Sequence, residues 1–190
     1  MMSQQNKDRR TAILEAALSL IAERGFHGTP AALIAERAGV GVGTIYRYFK
    51  DKDELIHAVF QDVEKRQIEI ITRNYDEERP FRERFVHLCR NVYHCLMENP
   101  LEFKFLEQYF DSPYGVEQRR RLDNLSRPFG RLFFAGKEQQ VLKDVPDKML
   151  YSLVFGPIAF SIKEHNAGFL QLYAERIDLF IEALWDAIKR

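Results

Sequence analysis

Apolar residues recur every three to four positions along almost the whole of this chain, and each such stretch ends at a proline or a glycine. A repeat of about 3.6 residues gathers apolar side chains on one face of an α-helix, whereas a half-buried strand needs strict alternation, and no convincing alternating run occurs. The pattern predicts an all-α fold. A first helix spans about Lys7 to Arg24, with Ile13, Leu14, Ala17, Leu20 and Ile21 on one face and Gly25 as its stop. Thr29 and Pro30 supply the cap and first turn of a short helix through Leu33, Ile34, Ala35 and Ala38, which Gly39 closes. A third short helix starts near Gly41 and ends around Phe49, and a longer one runs from Lys52 to about Arg73. Pro80, Pro100, Pro113 and Pro146 then open further helices, about five in all, the last over about Phe169 to Lys189. Pro128 with Gly130, and Gly156 with Pro157, fall inside helical patterns and should break or kink them.

The first three helices are too short to stand alone and must pack on one another. A short helix, a turn holding Gly39 and a second short helix make a helix-turn-helix, whose second helix enters the DNA major groove. The stretch AGVGVGTIYRYFKDKDEL, residues 38 to 55, suits that role. With Ile45 and Phe49 anchored in the core, Val42, Gly43, Thr44, Tyr46, Arg47 and Tyr48 crowd the other side of the helix. Gly41 and Gly43 let the backbone approach phosphates, Thr44 and Tyr46 offer hydroxyls, Arg47 can reach a base edge or a phosphate, and Lys50 and Lys52 neutralise flanking phosphates. Val42 can pack against a thymine methyl. A phosphate loop is the competing reading, but GVGVGT lacks the P-loop spacing and its Lys-Ser/Thr ending and follows no strand. Glycines at helix boundaries and aromatics in a small core also have an ordinary structural explanation. Total charge does not decide the matter, since 28 basic residues balance 28 acidic ones. Residues 1 to 50 nevertheless carry seven Lys and Arg against four acids.

The order GFHGTPAALIAERAGVGVGTIYRYFKDKDEL resembles the N-terminal DNA-binding region of the TetR/AcrR family of transcriptional regulators, over about residues 7 to 62. The matches are Gly25-Phe26, Thr29, Ile34-Ala35, Ala38-Gly39-Val40, Gly43-Thr44-Ile45-Tyr46, Tyr48-Phe49, and Lys52 followed by Leu55. The resemblance implies an all-helical homodimer; a cytoplasmic location is the reading of the cysteines and the polar N-terminus. Residues 1–52 would bind double-stranded operator DNA, and residues 53–190 would form a helical ligand-binding and dimerisation domain whose small effector releases the DNA. It places phosphate contacts at Thr29, Thr44, Tyr46 and Lys52, and base or phosphate contacts at Arg47 and Tyr48. Two positions depart from the family pattern. Gly41 replaces a small hydroxyl residue, and Val42 replaces a polar or basic one.

Beyond about residue 75 the resemblance is architectural only. The helix from Phe81 places Phe85, Leu88, Cys89, Val92, Tyr93 and Leu96 on one side, with His87, Asn91, His94 and Glu98 on a solvated face. LEFKFLEQYF adds Phe103, Leu106 and Tyr109, and Phe129, Phe133, Phe155 and Ile158 follow. So many rings can fill a core or line a pocket for a small hydrophobic or aromatic effector, with Tyr93 or Tyr109 offering a hydroxyl. The run Arg119 to Arg121 is an anion attractor or a solvated face. The segment Asp147 to His165 is apolar nearly all round. With the last helix it supplies the expected dimer interface, through Leu150, Val154, Ile177, Phe180, Ile181, Leu184 and Ile188.

Cys89 and Cys95, six apart in one helix, suit neither a disulfide nor a redox pair, which fits a reducing cytosol. The polar N-terminus has no apolar signal core, and no apolar run is long enough to cross a bilayer. Neither His87 nor His94 has metal-ligand spacing, and neither a metal nor a cofactor is expected. An enzyme is the reading from another class, but GxSxG, HExxH and a dinucleotide fingerprint are all missing. A DNA-organising helix-turn-helix protein that needs no effector is the third.

Overall fold

The computed structural model describes residues 4–121 and 127–190; the side chains of Arg119 to Arg121, which the sequence marked as a charged run, lie outside the described residues. The described residues form ten helices and no strand. Packing divides the chain into two compact units, Met1–Arg66 with Asn99–Arg121, and Gln67–Glu98 with Leu122–Arg190. This partition differs from the expected division at residue 52.

The first unit holds α1 (Gln4–Arg24), α2 (Ala31–Arg37), α3 (Val42–Tyr48), the start of α4 (Lys52–Ile71), α6 (Pro100–Phe110) and α7 (Pro113–Arg121). One face of each helix closes over a common core: Ile13, Leu20 and Ile21 from α1, Ile34 from α2, Ile45 from α3, Leu55, Val59 and Phe60 from α4, and Phe105 and Tyr109 from α6. Tyr109 stacks on Phe60 with ring centroids 4.3 Å apart, so α6 is part of this core rather than of the second unit. Gly25 ends α1 at φ +72°, and Gly39 turns the chain between α2 and α3 at φ +65°, a left-handed conformation that a side chain would strain. Asp51 and Glu54 form a reciprocal cap at the start of α4. The Asp51 carboxylate accepts from the Glu54 amide at 2.8 Å, and the Glu54 carboxylate accepts from the Lys50 amide at 2.5 Å.

The second unit holds the end of α4, α5 (Phe81–Glu98), α8 (Pro128–Glu138), α9 (Asp147–Asn166) and α10 (Ala174–Ile188). Six helices follow α4 rather than about five, because Pro128 opens α8 as a separate helix. Pro157 instead stays inside α9. The last helix starts at Ala174, five residues later than expected, since Gly168 at φ +82° takes the chain out of α9 through a turn. Gly136 of α8 lies so close to Phe81 and Leu142 that a Cβ there would stand 2.5 Å from the Phe81 ring. The carbonyl of Ile188 accepts from the Lys143 amide at 2.9 Å, which ties the chain end to the turn between α8 and α9. His87 and Asn91 are not on a free solvated face. The Asn91 amide donates to the Ile71 carbonyl at 2.9 Å and His87 Nε2 lies 2.8 Å from the Arg73 carbonyl, so α5 grips the end of α4. His94 is exposed as expected. No helix among the described residues is long and apolar enough to cross a membrane.

Candidate nucleic-acid interface

Two turns make up α3. Gly41 enters it in an extended conformation (φ −74°, ψ 149°), its carbonyl accepts from the Thr44 amide at 2.8 Å, and the Phe49 amide closes the last turn onto Ile45. Ile45 and Phe49, four residues apart, share one face and are each only 2% exposed. That anchorage turns the rest of the helix outward. Val42 is 39% and Tyr46 51% exposed, Gly41, Gly43 and Arg47 are exposed, and Thr44 and Tyr48 are half-buried. A Cβ at Gly41 or Gly43 would meet nothing within 4 Å, so no neighbour in the fold requires glycine at either position. Their open side is the side on which another molecule could approach the backbone.

Beside this face lies a cleft of about 300 Å³ lined by Asn6, Arg10, Arg47 and Tyr48. The Tyr48 hydroxyl donates to Asn6 Oδ1 at 3.0 Å, joining the end of α3 to the first turn of α1. The Arg10 guanidinium sits 5.4 Å from the Phe49 ring centroid and has no carboxylate partner among the described residues. Two guanidinium groups in one open cleft suit an anion. Sequence reasoning counted Arg10 in the basic excess of the first fifty residues but gave it no role. The available signal was its place on α1 three residues before Ile13, in the turn that the packing brings to α3.

Three expected DNA contacts are engaged inside the fold. Thr29 is fully buried, and its hydroxyl donates to the Gly25 carbonyl at 2.8 Å; it locks the turn between α1 and α2 and neither caps α2 nor presents an oxygen to phosphate. Lys52 Nζ donates to the Phe26 carbonyl at 2.5 Å, binding α4 to the same turn. Tyr48 uses its hydroxyl on Asn6. Lys50 is exposed, and only its backbone amide is used. Arg37, on α2, pairs with Glu23, whose carboxyl its hydrogen bond holds below the ordinary range.

The proposed ligand residues fall into two groups. Phe103, Leu106 and Tyr109 belong to the first unit, whereas Phe85, Cys89, Tyr93, Leu96, Phe129, Phe133, Phe155 and Ile158 belong to the second. Burial pushes the Cys89 thiol well up, so it stays neutral and unreactive. Neither nominated hydroxyl is free. Tyr93 bonds Ser161 at 3.1 Å, and Tyr109 lies 3.1 Å from His57 Nδ1. The buried phenol oxygen without a partner among the described residues is that of Tyr151, beside Phe129, Phe133 and Phe155, and sequence reasoning passed over it.

The expected dimer residues need correction. Leu150, Val154, Ile177, Ile181, Leu184 and Ile188 are buried in the core of the second unit, and Phe180 is half-buried. Apolar residues also stand on the solvent side of α9, and on α10 in a narrow stripe beside its acidic face. Met149, Phe160 and Leu179 stand 50%, 64% and 70% exposed. Among the described residues, no group of His, Cys, Asp and Glu could hold a metal ion.

Residues 13–59 match the family model for bacterial regulatory proteins of the tetR family. Residues 80–189 match that of a tetracyclin repressor-like C-terminal domain. The chain is 33% identical to the fatty acid metabolism regulator protein of Bacillus subtilis over 81% of each chain. It is 25% identical to an HTH-type transcriptional regulator of Haemophilus influenzae over the full length of both. The crystal structure of a TetR family transcription regulator from Marinobacter aquaeolei superposes with a TM-score of 0.87, at 27% identity over 99% of both chains.

Proposed function

Because the chain belongs to the TetR family of bacterial regulatory proteins, and is therefore a DNA-binding transcriptional regulator rather than an enzyme, we propose that it is a homodimeric repressor released from a near-palindromic operator by a small apolar effector. One observation carries the DNA half: α3 is pinned by Ile45 and Phe49 and turns Val42, Tyr46 and Arg47 outward beside Arg10, which has no carboxylate partner among the described residues. In this assignment Arg10, Arg47, Thr44, Tyr46 and Lys50 hold phosphates or base edges, and Val42 reads a thymine methyl. Gly41 and Gly43 admit the backbone to the DNA. Thr29, Tyr48 and Lys52 position these groups from behind.

The outward stripes of α9 and α10, carrying Met149, Phe160 and Leu179, support a dimer through a four-helix contact. Two recognition helices would then read half-sites about 34–36 Å apart or a multiple of that. The rings of Phe129, Phe133, Tyr151 and Phe155 support an apolar effector, and the Bacillus subtilis relative supports genes of fatty acid metabolism as its targets. An effector relieves repression only if it binds the DNA-incompetent conformation more tightly.

The test is selection of genomic DNA fragments by the full-length protein, followed by competition binding. Enrichment of near-palindromes, abolished by Tyr46→Ala with Arg47→Ala, is the expected result. Binding with no sequence preference, or unaffected by that pair of changes, contradicts the assignment.

A further inference from the structure

The chain has eight tyrosines, and the structure accounts for the hydroxyls of seven. Tyr46 and Tyr173 are exposed to water. Tyr48, Tyr75, Tyr93, Tyr109 and Tyr114 each have a partner, in Asn6, Arg84, Ser161, His57 and Asp53. Tyr151 is the exception: its hydroxyl is buried with no hydrogen-bond partner among the described residues. A buried polar group without a partner loses its hydration and gains nothing in return. Its surroundings are rings. Phe155 lies nearly parallel at 5.6 Å, Phe133 meets it edge-on at 5.2 Å, and Phe129 closes the group at 4.9 Å from Phe155. A trapped water needs two to four polar partners, and phenylalanine rings supply none.

Building on the effector proposal above, we infer that the Tyr151 hydroxyl is the hydrogen-bond donor for the effector, which is an apolar chain ending in an acceptor oxygen, either a carboxylate or an ester carbonyl. Burial raises the phenol's pKa, so at neutral pH it donates and does not accept as a phenolate. The two charges that act on it are opposed. Arg127, the residue that opens α8, favours negative charge there, while Asp147 disfavours it and is itself held by Lys137 at 2.5 Å. Arg127 favours a carboxylate or a neutral carbonyl over an ammonium at the hydroxyl, and the one acidic group that acts there, Asp147, is already paired with Lys137. The rings of Phe129, Phe133 and Phe155 take the apolar chain.

The experiment uses the full-length protein and three probes of equal chain length: decanoate, methyl decanoate and decylammonium. Affinity comes from thermal shift and from release of selected operator DNA. Decanoate and methyl decanoate should bind and decylammonium should not. Their relative affinity tells a free acid from an ester. Tyr151→Phe keeps the ring, should weaken both acceptor-headed probes by about tenfold, and should leave the melting temperature of the unliganded protein unchanged or higher. Tyr93→Phe is the control: it removes a hydroxyl that is already bonded, so it should lower that melting temperature and leave probe affinity unchanged. Undiminished binding by Tyr151→Phe overturns the inference. Wild-type binding of decylammonium alone overturns it too but leaves the effector proposal standing. Binding of none of the three, with no release of operator, removes both.

Discussion

Arg10 and Lys52 carry the same charge and lie on either side of the recognition helix in sequence, yet the structure assigns them different work. Arg10 has a half-buried stem over Phe49 and a guanidinium with no carboxylate partner, in a cleft shared with Arg47. Lys52 spends its ammonium on the Phe26 carbonyl. If Arg10 holds one phosphate in each half-site, Arg10→Gln removes two contacts per dimer while keeping part of the stem over the ring. Each contact contributes about 0.9 to the slope of log K against log salt, so the slope should fall by about 1.8, and affinity at about 0.15 M salt by roughly thirtyfold, ~2 kcal/mol. Lys52→Ala should act on folding instead. It removes a hydrogen bond from a charged donor to a backbone carbonyl, worth about 1.5–3 kcal/mol of stability. Its salt slope should stay near that of wild type once measured on folded protein.

The assay is fluorescence anisotropy with one operator duplex and one scrambled duplex at four salt concentrations, with denaturant melts of both variants in parallel. Arg10→Gln should weaken both duplexes by the same factor, because phosphate contacts carry no sequence information. The division of labour fails if Lys52→Ala flattens the salt slope as much as Arg10→Gln, or if Arg10→Gln leaves the slope unchanged.

Val42→Ala should relax preference at one base pair of the operator by on the order of 1 kcal/mol or less, read from competition against a single-substitution library. Phe160→Glu combined with Leu179→Glu puts charge on the two most exposed apolar positions of α9 and α10 and should give a monomeric mass by light scattering. The same exchange at Leu184, which is 3% exposed, should unfold the second unit instead. Gly115→Ala should destabilise the first unit by several kcal/mol in denaturant melts, because its Cβ would collide with the Tyr109 carbonyl and stand 2.5 Å from the Phe110 Cα, on backbone that cannot swing aside. Burial, and then the charge of Glu64, push the Tyr109 phenol up to about 12. Its proton is therefore held more tightly in the folded chain, and the associated stability is intact below about pH 10 and lost as pH rises toward 12. Tyr109→Phe should flatten that alkaline loss in melts across this range, though not abolish it, because burial also raises Tyr114 to about 12.

The DNA-facing helix was legible in the sequence because its information is local. Ile45 and Phe49 are one helical turn apart, Gly39 marks the turn before them, and the motif between is short. What failed to show depends on remote partners. Lys52 reads as a phosphate ligand until Phe26, 26 residues away, presents its carbonyl. Tyr93 reads as a ligand hydroxyl until Ser161 takes it from 68 residues away. The dimer face went astray for a different reason. In α9 both faces carry apolar residues, and in α10 Leu179, Phe180 and Ala183 lie between the core face and the acidic face of Glu175, Asp178 and Glu182, so periodicity identifies a packed helix without saying which apolar stripe meets its own core. It assigned Val154, Ile181 and Leu184 to the partner, and these turned out to be the core. Likewise Phe105 and Tyr109 look like their aromatic neighbours along the chain, and only packing against Phe60 puts them with the DNA-binding helices.

The same packing bears on how an effector could reach the DNA. Helix α4 is continuous from Lys52 to Ile71, and the boundary between the two units falls inside it, after Arg66. Its first half contributes Leu55, Ile56, Val59 and Phe60 to the core that also holds Ile45 and Phe49, the two anchors of α3. Its end is gripped by Asn91 and His87 of α5. In the proposed regulation, an effector that moves α5 would act on the end of α4 through Asn91, within the second unit.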